Sequence, residues 1–227
     1  MKLYNRNGEE ITITSESNRF ANLNFAFIGD SFSSPGKWQA EMQKTLNGTN
    51  LYNAAIDGCR WSNSYSEATS AYYRAERIIE GVSVSPDVIM CVLGVNDGAN
   101  SVELGAVTYS NDYTAFNRAT FAGGMQATIA RLQNAYPDAV IYVGWTPAGG
   151  NCNWTTSAAK VEEYIGVMKE VCLMYGVEYI ETRTCGISKY SDIYADYWEA
   201  GTAGGHPTDD GHIAIGRYMA RIVSGTA

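Results

Sequence analysis

Asp87-Val88-Ile89-Met90-Cys91-Val92-Leu93 runs directly into Gly94-Val95-Asn96-Asp97. An unbroken apolar run without polar alternation describes a strand buried on both faces, the kind found in parallel sheets covered by helices. The pattern repeats on either side. Leu23–Ile28 reads as a buried strand, 36–47 as a helix, Leu51–Ala55 as a short strand, and 66–80, with Ala71, Ala75, Ile78 and Ile79, as a helix. Further along, 113–135 predicts a long helix in which Gly123-Gly124 marks a bend or a close contact. Ala139–Trp145 is the next strand, 157–175 a helix, Val177–Ile180 a last strand and 209–223 a final helix. Five apolar strands alternating with helices predict an α/β protein: a three-layer α/β/α sandwich, flavodoxin-like, around a five-stranded parallel sheet. In such sheets ligands bind at the carboxyl ends of the strands.

Residues 1–20 read apart. Asn5-Arg6-Asn7-Gly8 is a turn signal and Ile11-Thr12-Ile13-Thr14 is β-prone, which predicts an N-terminal arm or hairpin ahead of a main domain over 21–227. The chain has 227 residues, 45% of them hydrophobic, enough for one domain with a full core. Sixteen basic against 24 acidic residues give a net charge of −8, without a Lys/Arg cluster. That balance argues against a nucleic-acid partner and against a polybasic membrane anchor. No apolar run approaches a membrane span, and Met1–Asn7 lacks the apolar core of a signal peptide. The compartment stays open among cytoplasmic, virion-associated and exported after trimming. Cys59, Cys91, Cys152, Cys172 and Cys185 form no C-x-x-C pair, which argues against structural zinc. Cys91 and Cys172 lie in apolar stretches and read as buried thiols; Cys152 and Cys185 lie in loop-like sequence where either is able to pair.

Four short motifs sit where chemistry is expected. Gly29-Asp30-Ser31 follows the first strand, placing a serine near backbone N–H groups; the expectation is a helix N-terminus there, with Ser31 at the positive end of its dipole. Gly58, in Asn53-Ala54-Ala55-Ile56-Asp57-Gly58, follows the second strand and allows close backbone approach. Asn96 follows the third strand and carries an amide that donates hydrogen bonds. His206-Pro207 precedes the final helix, with Thr208 as its cap and Asp209 and Asp210 in its first turn. Each motif has a plain alternative as a cap or a turn.

Taken in order, Ser31, Gly58, Asn96 and His206 resemble the four signature positions of the SGNH-hydrolase family, also called GDSL-type esterases, over about 23–223. The resemblance implies a catalytic domain over 21–227 that hydrolyses esters through an acyl-serine. Ser31 would be the nucleophile and His206 its base, with the Ser31 N–H, the Gly58 N–H and the Asn96 amide as the oxyanion hole. It implies no calcium, zinc or organic cofactor. The family places an aspartate three residues before the histidine, where this chain has Ala203. A backbone carbonyl completing a Ser31–His206 dyad, an upstream carboxylate from Asp192, Asp196 or Glu199, or help from Asp209 or Asp210 are the open solutions.

Trp61, Trp145 and Trp154 lie near the expected site, and Thr146–Trp154 is long, small and polar enough for a substrate loop. Tryptophan faces beside asparagine amides suit sugar rings. With no extended apolar lid in the sequence, a glycan or other small-molecule ester, of short acyl or O-acetyl type, is expected over a long-chain lipid. The competing readings are a non-catalytic carbohydrate-binding or virion- or cell-surface module retaining the fold, a metal site in His206-Pro-Thr-Asp209-Asp210-Gly-His212, and a flavin or nucleotide carrier. The last lacks a phosphate-binding glycine motif. Oligomeric state is not readable from the residues.

Overall fold

The computed structural model describes residues 3–4, 10–11, 21–110, 112–147, 157–183, 185, 187, 194–199 and 205–225. Near the N-terminus, Leu3–Tyr4 (β1) pairs antiparallel with Glu10–Ile11 (β2). The main sheet is built from Asn24–Gly29 (β3), Asn50–Asn53 (β4), Val88–Val92 (β5), Val140–Gly144 (β6) and Glu178–Ile180 (β7). All its pairings are parallel, in the order β4-β3-β5-β6-β7. This is the doubly wound order, in which the strand order reverses between β3 and β5 and leaves a crevice at their carboxyl ends. All five residues of β5 are buried, as its unbroken apolar run requires.

Lys37–Leu46 (α1) and the last helix pack together on one face. Ala71–Gly81 (α2), Phe121–Ala135 and Ala158–Tyr175 cover the other. With Val95–Ala99 as α3, these two are α4 and α5; Tyr194–Tyr197 is α6 and Asp209–Ser224 is α7. Helix starts follow their caps. Ser70, Thr120, Ser157 and Thr208 each accept from a backbone N–H in the first turn. The cap at Thr120 also corrects the expected helix over 113–135. Asp112 caps the start of a separate 3₁₀ turn at Tyr113–Ala115 by accepting from the Thr114 N–H and hydroxyl, and the α-helix begins only at Phe121. Gly123-Gly124 marks close contact, not a bend: a Cβ at Gly124 would lie 2.2 Å from the Trp61 carbonyl oxygen.

Cys59, Cys91, Cys172 and Cys185 are buried free thiols. Cys185 does stand in a turn, as its loop-like sequence predicts, but it is buried rather than available to pair. Its thiol donates to the Thr182 carbonyl at 2.9 Å, and burial pushes it well above the ordinary range. Cys152 lies outside the described residues. Among the described residues, no helix is long and apolar enough to cross a membrane.

Candidate active site

β3 lies between β4 and β5, so the segments leaving these three strands converge at one sheet edge. They carry Ser31, Gly58 and Asn96, each half-buried. After β3 the chain makes a tight turn in which the Asp30 carbonyl accepts from the Ser33 and Ser34 N–H groups, both at 2.9 Å. Gly36 then takes a left-handed conformation (φ 73°) and α1 begins at Lys37. Ser31 therefore sits in a hydrogen-bonded turn ahead of the helix, not at its dipole end. The left-handed residue separates the two. The turn is held from outside by Gln39 Nε2 and Asn53 Nδ2, which donate to the Ser33 carbonyl at 2.7 and 2.9 Å.

Gly58 has φ 73°, and a Cβ there would meet nothing within 4 Å. The positive φ, not crowding, is what calls for glycine. No bond runs from the Ser31 N–H or the Gly58 N–H to another described residue. Asn96 donates one amide hydrogen to the Cys59 carbonyl at 3.1 Å, which fixes the side chain and leaves its second hydrogen.

His206 arrives from the far end of the chain. Its Nε2 lies 2.8 Å from Ser31 Oγ, and its ring stacks on Phe32 at 4.7 Å between centroids. Its backbone is pinned on the other side: the Glu199 N–H donates to the His206 carbonyl at 2.9 Å, and the Thr208 N–H to that of Tyr197 at 3.0 Å. Thr208 Oγ accepts from the Gly211 N–H at 3.1 Å and starts α7, as the capping reading expects.

Beneath this rim lies a floor that sequence reasoning missed. Asp30 and Asp97 are both 0% exposed. Asp30 accepts from the Phe32 N–H at 3.1 Å and from Thr146 Oγ at 2.5 Å. Asp97 accepts from the Trp61 and Ser62 N–H groups at 2.9 and 3.1 Å. Burial pushes Asp30 up to about 7 against those hydrogen bonds, with the nearby Asp97 adding to the rise; burial likewise pushes Asp97 up to about 6. The available signal was their place in the motifs: each directly neighbours a candidate residue at the end of a buried strand.

The sequence matches the family model of GDSL-like lipases and acylhydrolases over residues 27–214. The chain belongs to this family. Solved structures agree in fold. A Lactobacillus plantarum protein is 19% identical with a TM-score of 0.68, over 91% of this chain and 99% of that one. A GDSL-like lipase candidate from Bacteroides ovatus is 19% identical with a TM-score of 0.62, over 88% and 98%. A carbohydrate esterase family 2 enzyme with a carbohydrate-binding domain, from Corynascus thermopiles (Myceliophthora fergusii), is 16% identical with a TM-score of 0.59, over 96% and 69%. Among curated protein sequences none matches this chain. GDSL-type membership brings esterase or acylhydrolase chemistry with it.

Several expected parts of this GDSL-type site lie elsewhere. Trp61 and Trp145 are 0% exposed and offer no face to a ligand. The Trp61 carbonyl is pressed against Gly124, and the Trp145 ring against Gly94, where a Cβ would approach a ring carbon to 2.6 Å. Both tryptophans are core. Trp154 and the expected loop beyond Pro147 lie outside the described residues, as does Asp192. Asp196 and Glu199 are exposed, and among the described residues neither carboxylate bonds to His206. Asp209 is exposed and pairs with Lys37, and Asp210 is exposed in the first turn of α7. His212 is 4% exposed on the interior side of that helix. Among the described residues no three are placed to hold a metal ion, so the histidine–aspartate cluster read from sequence does not assemble.

Proposed function

We propose that this chain is a serine esterase acting on small polar esters through Ser31 and His206. The carrying observation is the 2.8 Å approach of His206 Nε2 to Ser31 Oγ at the carboxyl end of the sheet. Ser31 Oγ attacks the ester carbonyl while His206 Nε2 takes its proton. The resulting oxyanion is held by the Ser31 N–H, the Gly58 N–H and the second amide hydrogen of Asn96. As the tetrahedral species collapses, His206 returns the proton to the leaving alcohol. Water, deprotonated by His206, then attacks the acyl-serine, and the acid and free Ser31 are released.

The surroundings favour a short acyl group on a polar alcohol, such as an O-acetylated sugar. The rim beside Ser31 is polar, with Ser34 donating to Asp57 just before Gly58. The likeness to a carbohydrate esterase points the same way. A fluorophosphonate probe should label Ser31, and acetate release from acetylated glycans should exceed cleavage of long-chain fatty esters. Absence of labelling would favour a non-catalytic binding module, the reading for which Ala203 speaks; strong preference for long acyl chains would overturn the substrate class. Asp192→Asn tests the remaining upstream carboxylate: a loss of tenfold or more in acylation makes it the acid of a triad.

A further inference from the structure

We propose that Asp30 and Thr146 are positioning residues that couple the nucleophile turn to the helix bearing Asn96, with Asp97 performing the same task for the loop that follows Gly58. The proposal rests on the esterase reading above and adds residues to it that do not touch substrate.

The coupling is a continuous chain of hydrogen bonds across three strand ends. The Val95 N–H donates to Thr146 Oγ at 3.2 Å. Thr146 Oγ–H donates to one carboxyl oxygen of Asp30 at 2.5 Å, and the other accepts from the Phe32 N–H at 3.1 Å. Val95 is the first residue of α3 and the neighbour of Asn96; Phe32 is the neighbour of Ser31 and the ring on which His206 stacks. Thr146 stands two residues after β6, so the link ties β3, β5 and β6 together. Asp30 and Thr146 are both fully buried.

Asp97 makes the companion link. Its two carboxyl oxygens take the Trp61 and Ser62 N–H groups, and the neighbouring Asn96 donates to the Cys59 carbonyl. The backbone just after Gly58 is thus bonded to α3 from both directions.

The three oxyanion donors come from three separate segments, so nothing local sets their relative positions. A misplacement of about 1 Å in such a constellation costs on the order of 10² in rate. A buried carboxyl is costly to keep, and hydrophobic side chains would fill the space more stably. A carboxyl in this place has what a hydrophobic residue lacks: two oxygens held in fixed relation, able to hydrogen-bond partners from two segments at once. Positioning explains why the interior tolerates two of them beneath one site.

Thr146→Val keeps the side-chain shape and removes the hydroxyl, and Thr146→Ser keeps the hydroxyl. With a short-chain aryl ester, T146V should lower kcat about tenfold or more with KM changed less than twofold, and T146S should retain kcat within threefold. Amide resonances of Phe32 and Val95 should shift in T146V and stay near their native positions in T146S. A T146V enzyme with native kcat overturns the proposal. So does a T146S enzyme as slow as T146V, because a merely structural threonine would not be rescued by the hydroxyl. If the wild-type chain cleaves no ester, the esterase reading has failed. The resonances then decide alone, and unmoved Phe32 and Val95 amides overturn the coupling.

Discussion

His206 and His212 stand six residues apart, yet the fold treats them in opposite ways. His206 is half-buried, stacked on Phe32 and aimed at Ser31 Oγ. His212 is 96% buried on α7, and among the described residues nothing bonds to its Nδ1. Burial, with Lys37 nearby, pulls it down to about 4, so it stays neutral in the folded state. The difference comes from backbone context. His206 precedes the capped start of α7, where Pro207 and the pairing with residues 197–199 hold the chain out at the rim; His212 is inside the first turns, on the face that packs against the rest of the protein. The same division runs through the whole site. Ser31, Gly58, Asn96 and His206 form an accessible rim, and Asp30, Asp97, Thr146 and His212 lie buried behind it.

The largest effects should fall on the rim. Ser31→Ala and His206→Ala should each lower kcat about 10⁴-fold or more, while His212→Gln should change it less than about fivefold, measured on one short-chain ester. Equal losses for the two histidine variants would erase the distinction and reopen the choice of base. Next in size, Asn96→Ala removes an oxyanion donor and should cost about 10²–10³ in kcat with KM little changed. A loss confined to KM would make Asn96 a ground-state contact instead.

Buried titratable groups should be visible in stability, and here the two differ in sign. Asp30 has its folded value raised from 3.8 to about 7, so between about pH 4 and 7 the native state binds the extra proton. Its contribution is fully present below pH 4 and is lost as pH rises through 7, on the order of 4 kcal/mol over the window. His212 has its folded value lowered from 6.5 to about 4, so there the unfolded chain binds the extra proton. Its contribution is fully present above 6.5 and is lost as pH falls toward 4. Relative to wild type, Asp30→Asn should therefore gain stability as pH rises and His212→Gln should lose it. Denaturant unfolding at several pH values between 4 and 7 measures both slopes, and parallel slopes would place the titration on other groups.

The rim was legible in the residues because its chemistry sits in short motifs directly after strands, and the strands announce themselves by apolar runs such as Val88–Val92. The floor was not, because it is assembled at long range: Thr146 reaches Asp30 from 116 positions away, and no local pattern marks that pairing. Trp61 and Trp145 misled for the same reason. They follow strands, as ligand-facing residues do, but glycines at 124 and 94 let other segments close over them. The helix dipole expected at Ser31 failed on one residue, Gly36, whose left-handed turn postpones α1.

The smallest predicted effect sharpens the division from the other side. Asp196 and Glu199 share the segment that pins His206, but they do so through backbone: the Asp196 carbonyl accepts from Thr208 Oγ at 2.6 Å, and the Glu199 N–H donates to His206. Their carboxylates are exposed, where water screens a charge from a neighbour it does not touch. Asp196→Asn and Glu199→Gln keep those backbone bonds and should leave kcat/KM within about twofold at neutral pH. A tenfold loss in either would mean that its carboxylate swings onto the imidazole during turnover. The acid missing at Ala203 would then be supplied from the rim itself.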